Sequence, residues 1–268
     1  MTPQSIPDPS SRPAATAAAI WELWQSGARI ETLPEELRPR DRSEAMAAQA
    51  ALEAVAGPVI GWKIAATSPA GQAHIGVDGP LPGRLFERFL HHDGDTVSSA
   101  GMHMRVIEAE FAFRLGADLD LGAEQDQRRV LDAVEAVHLA IEIPDSRFEH
   151  FHVVGAEQLL ADDACAGRFV LGSPVDGWAD IDLATAQTSI HIGGHQVASG
   201  VGANVLDDPR SALTWLARTV AAAGTPLRAG QIVTTGTTTV PAAVAAGDRA
   251  VADFGALGSV SVTFADMS

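Results

Sequence analysis

The first 58 residues show apolar positions at helical spacing, in Ala-rich stretches with recognisable helix ends. In SSRPAATAAAIWELWQSG (10–27), serine precedes Pro13 and Gly27 follows the last apolar residues. Serine at the cap, proline in the first turn and glycine after the end are typical helix boundaries. The segment RDRSEAMAAQAALEAVAGP (40–58) repeats this arrangement. The pattern predicts an N-terminal arm and helical region over residues 1–58.

After residue 58 the pattern changes to short apolar or alternating segments separated by turn residues. Residues 69–94 are rich in Gly, Pro and His, which predicts an irregular segment. Few strands alternate with long helices, which disfavours a doubly wound parallel sheet. The prediction is an α+β fold with a mixed β domain over 59–268. Strands are predicted at 59–67, 105–116, 136–145, 168–175, 188–200 (a hairpin), 231–237, 248–255 and 259–264, and helices at 124–134 and 207–224.

The charge of the chain limits its partners. It has 18 basic and 34 acidic residues, a formal net charge of -16. Nucleic acids and anionic membranes are recognised by clustered Lys and Arg, so neither is an expected partner. The single cysteine, Cys165, is interpreted as a structural thiol and fits a reducing cytoplasm. With no signal-peptide pattern and no apolar run that could span a bilayer, we expect a soluble cytoplasmic protein with small ligands.

Two glutamates lie on one face of the strand predicted in RVIEAEFAFRL (105–115). Side chains alternate along a strand, so Glu108 and Glu110 point the same way, roughly 7 Å apart. In VHLAIEIPD, Glu142 lies on the face opposite the apolar residues. Three carboxylates about 5 Å apart would repel by on the order of 10 kcal/mol in total at an effective dielectric constant near 20. Either protonation or a hard cation such as Mg²⁺ or Mn²⁺ relieves this repulsion, or all three side chains face solvent.

Lys63 is the only lysine in the chain, because every other basic residue is arginine. Its neighbours in VIGWKIAAT are apolar, which disfavours a freely solvated position. An ammonium, unlike a guanidinium, has a pKa that its surroundings can shift. A functional role for Lys63 is therefore predicted.

Several motifs occur in a fixed order and together resemble one family. They are GWKIAATS, IGVDGPLPGRLF, RVIEAEFAF, VHLAIEIPDSR, LLADDACAGRFVLG, SGVGANVLDDPRSALTWLARTVAAAGTPLRAGQIVTTG and VAAGDRAVADFGALGSVSVTF. This order resembles the 2-keto-4-pentenoate hydratases and 4-oxalocrotonate decarboxylases of the fumarylacetoacetate hydrolase superfamily. The resemblance implies a helical region followed by a mixed β-roll of the superfamily's C-terminal type, in a homo-oligomer.

The resemblance also implies roles for individual residues. Mg²⁺ or Mn²⁺ would be held by Glu108, Glu110 and Glu142, and the G-x-K-x-x-x-T pattern would place the catalytic lysine at Lys63. Beside such an ion, burial and the cation would lower the pKa of this lysine. The implied substrate-binding residues are Thr67, Ser199 and Thr237.

The implied reaction is a metal-dependent hydration in aromatic or related catabolism. Water adds to a 2-hydroxy-2,4-dienoate, the enol form of a 2-keto-4-pentenoate-like acid, and gives a 4-hydroxy-2-keto acid. Members of the family commonly carry P-D-F-G, whose Asp serves in acid–base work, where this chain has Leu81. Asp163 also replaces a usual Asn.

Two alternatives remain open. Leu81 favours a decarboxylase, lyase or tautomerase that acts on a 2-keto acid through the same enolate. A non-enzymatic alternative is a metal-free partner of a related enzyme, since hydratase and decarboxylase homologues associate with each other.

Overall fold

The computed structural model describes residues 11–120 and 126–266. The arm predicted at the start of the chain falls largely on residues 1–10, which lie outside the described residues. Both helices predicted in the N-terminal region are present, the second interrupted at Leu52. The α-helices of the described part are α1 (Arg12–Ser26), α2 (Arg42–Ala51), α3 (Glu53–Ala56), α4 (Pro69–Ile75), α5 (Gln127–Asp132), α6 (Ala156–Ala161) and α7 (Pro209–Ala222).

The strands form two sheets. They are β1 (Val59–Ala65), β2 (Leu81–Phe86), β3 (Leu90–His92), β4 (Thr96–Ser98), β5 (Val106–Leu115), β6 (Val134–Ile143), β7 (Arg168–Pro174), β8 (Gln187–Ile192), β9 (His195–Val201), β10 (Ile232–Thr234), β11 (Ala242–Ala243), β12 (Arg249–Asp253) and β13 (Ser259–Ala265). One sheet has the order β2-β1-β10-β5-β6-β7-β3, with β11 paired to β5, and the other has the order β4-β13-β12-β8-β9. Both contain parallel and antiparallel pairs, which confirms the predicted α+β fold with a mixed β region.

The main hydrophobic core lies between the two sheets. Strand parity in β5 is as predicted, because Ile107, Phe111 and Phe113 are buried in this core. Phe111 meets Phe254, which follows β12, edge-to-face at a ring-centroid distance of 5.1 Å. The opposite face of β5 is also covered in part, since Ala112 lies in a second buried cluster. Side chains on this second face are therefore in the interior and not on an open, solvated sheet.

The segment 69–94 is largely regular, so the prediction of an irregular stretch was wrong. Ser68 caps α4 by accepting a hydrogen bond from Gly71 N (3.1 Å), and Gly76 ends the helix in the left-handed region. Strand β2 contains Pro82 and Gly83 and pairs only with β1 among the described strands. Proline is tolerated in an edge strand because the backbone groups on the outer side of such a strand have no partner in the sheet. The Gly and Pro residues here are strand positions and helix boundaries.

The N-terminal helices share a core with the rest of the chain. Ala17, Ile20 and Leu52 are buried in one cluster with Phe86 and Phe148. The boundary predicted at residue 58 stays a prediction. No helix in the described ranges has the length and apolar character needed to cross a membrane.

Gly61 brings β1 close to β10, and this contact generates a prediction. A Cβ at position 61 would lie 1.9 Å from the carbonyl oxygen of Ile232. Gly61→Ala should therefore force β1 and β10 apart and lower the free energy of unfolding by about 3 kcal/mol. Gly79→Ala is the matched control, because nothing lies within 4 Å of a Cβ there, and its effect should stay within about 0.5 kcal/mol. Urea denaturation measures both, and equal effects would contradict the close approach.

Candidate functional site

The three predicted glutamates converge in the interior. Glu108 on β5 lies directly opposite Glu142 on β6, and Glu110 lies two residues further along β5 on the same face. One carboxylate oxygen from each lies within 4.8 Å of the others. Glu110 and Glu142 are 0% and 1% exposed. The solvent-facing alternative is therefore wrong.

The carboxylates lack enough donors to compensate for their burial. Oε1 of Glu110 and both carboxylate oxygens of Glu142 accept no hydrogen bond from the described residues. Burial, followed by the Glu142 charge, raises the pKa of Glu108 to about 7 and that of Glu110 well above its usual range. Unpaired, buried, oxygen-only ligands that repel one another are what a hard divalent cation satisfies. The residues present therefore fit such an ion.

Lys63 lies on β1, in the same sheet, and contacts this cluster. Its Nζ lies 2.9 Å from Glu142 Oε1, an ion pair without hydrogen-bond geometry, and donates a hydrogen bond to the Ala164 carbonyl at 3.0 Å. Burial lowers the pKa of Lys63, but the Glu142 and Glu108 carboxylates outweigh burial and raise it above its usual value. The expected lowering of this pKa is thus absent when the carboxylates alone surround the ammonium.

A turn after β10 holds both Glu110 and Thr67. The backbone N–H of Gly236 donates to Glu110 Oε2 at 2.9 Å, and Thr235 Oγ1 donates to the Phe111 carbonyl at 3.1 Å. Gly236 has φ +98°, and a Cβ there would lie 2.1 Å from Thr67 Oγ1. Only glycine fits this turn against Thr67.

The site opens into a cavity of about 540 Å³. Lys63, Glu108, Thr67 and Thr237 all line it, so the structure brings most of the predicted residues together. Ser199 does not line this cavity; it is exposed on β9, and its substrate-binding role stays a prediction. The remaining wall is largely apolar and comes from β1, α4, the start of β5 with the residues before it, the segment after β6 and the turn after β10. It includes Ile64, Ile75, Met104, Val106, Pro144, Phe151, Val240 and Pro241.

Leu81 and Cys165 lie in a single apolar cluster, in which Cys165 also lines the cavity and Leu81 does not. Leu81 is 1% exposed. This buried position on β2 therefore holds an apolar side chain where the family pattern has an acid. Burial raises the pKa of Cys165 to about 12, which keeps the thiol protonated and supports its structural interpretation. The sequence analysis missed the Ala164 carbonyl that holds Lys63, because a backbone acceptor leaves no signal in residue type.

Comparison with known proteins agrees with this geometry. The family described as fumarylacetoacetate (FAA) hydrolase C-terminal matches residues 85–265. The chain is 33% identical over 268 residues to a 2-keto-4-pentenoate hydratase of Paraburkholderia xenovorans (strain LB400), covering 98% of this chain and 96% of the relative. It is 35% identical over 216 residues to a 2-hydroxyhexa-2,4-dienoate hydratase of Comamonas testosteroni, covering 80% of this chain and 81% of the relative.

A solved structure extends the likeness to the whole fold. The 4-oxalocrotonate decarboxylase from Pseudomonas putida G7, complexed with magnesium and adipate, superposes with a TM-score of 0.86 at 30% identity. The match covers 93% of this chain and 96% of the other. The likeness therefore includes proteins named for hydration and a protein named for decarboxylation.

The contact between Gly236 and Thr67 yields a second prediction. Gly236→Ala should lower the free energy of unfolding by about 2 kcal/mol more than Gly230→Ala does, because it adds a collision with Thr67 to backbone strain. Gly230 is the matched control, since it also has a positive φ (+81°) but no atom lies within 4 Å of a Cβ there. Equal losses in chemical denaturation would show that Thr67 is not held by this turn.

Proposed function

The chain belongs to the fumarylacetoacetate hydrolase family, and from that premise we propose that it is a metal-dependent hydratase. It adds water to a 2-hydroxy-2,4-dienoate and releases a 4-hydroxy-2-keto acid. The observation that carries the proposal is the group of three carboxylates next to one buried lysine, from which Glu108 and Lys63 line a largely apolar cavity. A metal-free partner protein would have no use for three mutually repelling buried carboxylates.

Glu108, Glu110 and Glu142 hold Mg²⁺ or Mn²⁺ in this proposal. The bound ion supplies positive charge that neutralises the carboxylates and polarises the oxygens of the keto acid. Gly236 keeps Glu110 in place through its backbone N–H, and the cross-strand pairing of β5 and β6 fixes Glu108 against Glu142.

Lys63 holds and orients protons at Nζ in this proposal. The ammonium is fixed between Glu142 Oε1 and the Ala164 carbonyl, and its side chain lines the cavity. From that position Nζ donates a hydrogen bond to a substrate oxygen or to the attacking water. Thr67 and Thr237 line the same cavity and are assigned to substrate binding.

The cavity wall favours hydration of an alkyl-tailed acid over decarboxylation of a dicarboxylate. Among its lining residues only Lys63, Glu108 and His74 are Lys, Arg, His, Asp or Glu, and Lys63 is already engaged by Glu142. A second carboxylate in the tail would lose its hydration and find His74 as the one basic side chain of the lining that no carboxylate engages. The volume corresponds to about 18 water molecules at ~30 Å³ each, which leaves room for an apolar tail beyond the dienoate.

Location and assembly belong to the same proposal. We assign the enzyme to the cytoplasm, which its single buried thiol supports. We also assign a homo-oligomeric state, which size-exclusion chromatography with light scattering tests.

Replacement of Lys63 tests its assigned role. Lys63→Ala should lower kcat on the preferred dienoate by roughly 100-fold or more, the contribution of a positioned acid–base group, while Mg²⁺ still binds. Lys63→Arg should also fail, because Gly83 lies against the lysine side chain and the larger, planar guanidinium does not fit in the place of the compact ammonium. Stopped-flow absorbance measures turnover, and calorimetry measures Mg²⁺ binding. Full turnover by Lys63→Ala would contradict the assignment.

A cation placed at the cavity wall tests the tail preference. Val240→Arg should raise kcat/KM for a dicarboxylic dienoate, relative to a methyl-tailed one, by about fivefold, the effect of a partly exposed ion pair. Val240 is 67% exposed, so the substitution is structurally mild. Val197→Arg is the matched control, because Val197 is also exposed but does not line the cavity. Product NMR that showed CO₂ loss from a dicarboxylate as the main wild-type reaction would favour the decarboxylase instead.

A further inference from the structure

Asp163 is a buried carboxyl group outside the three-glutamate cluster. Its Oδ1 accepts a hydrogen bond from the Arg84 backbone N–H at 2.7 Å, and its Oδ2 has no partner among the described residues. The neighbouring Asp162 differs, because Arg147 and Ser146 both donate to it. The Asp163 carboxyl group thus accepts a single hydrogen bond, and its donor is on strand β2.

The backbone at Asp163, Ala164 and Cys165 is strained. All three residues have positive φ, at 56°, 53° and 61°, and none of them is glycine. Each such residue costs free energy and persists only where surrounding contacts fix it. The contacts that fix this segment include the Asp163 side chain on β2 and the hydrogen bond from Asp145 N to the Cys165 carbonyl at 2.9 Å.

This strained segment determines the surroundings of Lys63. The left-handed turn directs the Ala164 carbonyl to Lys63 Nζ at 3.0 Å. Gly83 on β2 is the cross-strand partner of Lys63, and a Cβ there would meet both the Asp163 carbonyl (2.5 Å) and Lys63 Cδ (2.8 Å). The Asp163 anchor is on Arg84, the residue directly after Gly83. The segment, β2 and the lysine side chain therefore form one packed unit.

We propose that Asp163 is a positioning residue for Lys63. Its carboxyl group ties the 163–165 segment to β2, and this tie holds the Ala164 carbonyl against the ammonium and fixes Nζ toward Glu142. The structural part of this proposal is independent of the reaction. Its consequence for turnover rests on the proposed function, in which Lys63 takes part.

The charge of Asp163 is not needed for this role. Burial raises the pKa of Asp163 to about 7, although the hydrogen bond from Arg84 N and the charges of Arg147, Arg84 and Lys63 all lower it. An amide oxygen accepts the same hydrogen bond without the cost of a buried charge. Asp163→Asn should therefore keep Lys63 in place, whereas loss of the acceptor should release it.

The single lysine makes a direct experiment available. Full-length protein labelled with nitrogen-15 at the lysine side chain gives one ammonium signal, that of Lys63. The signal position and its hydrogen-exchange rate are recorded in Mg²⁺ for wild type, Asp163→Asn, Asp163→Ala and Asp163→Gly. Glycine removes the anchor but also relieves the positive φ, so this variant keeps the test open if the alanine variant does not fold.

The expected result separates positioning from general stability. Asp163→Ala and Asp163→Gly should shift the signal and speed ammonium exchange about tenfold or more, the effect of losing a hydrogen bond to a charged group. Asp163→Asn should stay within about twofold of wild type. Asp93→Ala is the control, because it also removes a carboxylate that accepts from a backbone N–H at 2.7 Å, that of Ser261, together with the bond from Ser261 Oγ at 3.0 Å, and it should leave the Lys63 signal unchanged.

Two outcomes would overturn the proposal. One is an unchanged Lys63 signal and exchange rate in folded Asp163→Gly, and the other is an equal change in Asp93→Ala. Neither depends on catalysis, so they are distinct from failure of the proposed function. If the signal moves as expected while wild type turns over no dienoate, the positioning role stands and the hydratase assignment fails.

Discussion

Three carboxylates and one ammonium are buried together where β5, β6 and β1 come close, and this concentration of charge constrains the rest of the site. The only buried lysine pairs with Glu142, which leaves Glu108 and Glu110 without a cationic side chain of their own. Burying charges is unfavourable unless partners replace the lost water. The strand register, the turn at Gly236 and the close approach at Gly61 all hold these groups at fixed positions despite that cost.

The same constraint couples cation binding to stability. A divalent ion that binds the folded cluster and not the unfolded chain stabilises the fold according to its concentration and affinity. Without it, Glu108 and Glu110 relieve their repulsion by holding protons, as their raised pKa values indicate. Protons and the metal therefore compete for the same oxygens, so metal affinity should weaken as the pH falls.

Much of this arrangement could be predicted from the sequence, because strand parity and composition carry it. Alternation in β5 placed Glu108 and Glu110 on one face, and Lys63 was noticeable as the only lysine. Burial of that face could not be predicted, since it depends on strands distant in sequence that cover it. The segment 69–94 was misinterpreted because Gly and Pro are also found at edge strands and helix ends. The role of Asp163 depends on backbone geometry, which residue types do not encode.

Leu81 and Asp163 both depart from the usual residues of the family pattern, and Lys63 is nevertheless held in a defined position. An acid at position 81 would lie in the apolar cluster that backs the cavity, where its charge would have to be compensated. With leucine there, the cluster stays apolar, and Nζ is held by the segment that Asp163 anchors, whose Ala164 and Cys165 belong to the same cluster. An apolar wall favours an alkyl tail, and a firmly held ammonium serves hydration as well as it would serve decarboxylation. The choice between the two reactions therefore depends on the substrate tail that the wall accepts more than on the metal end of the site, which is common to both.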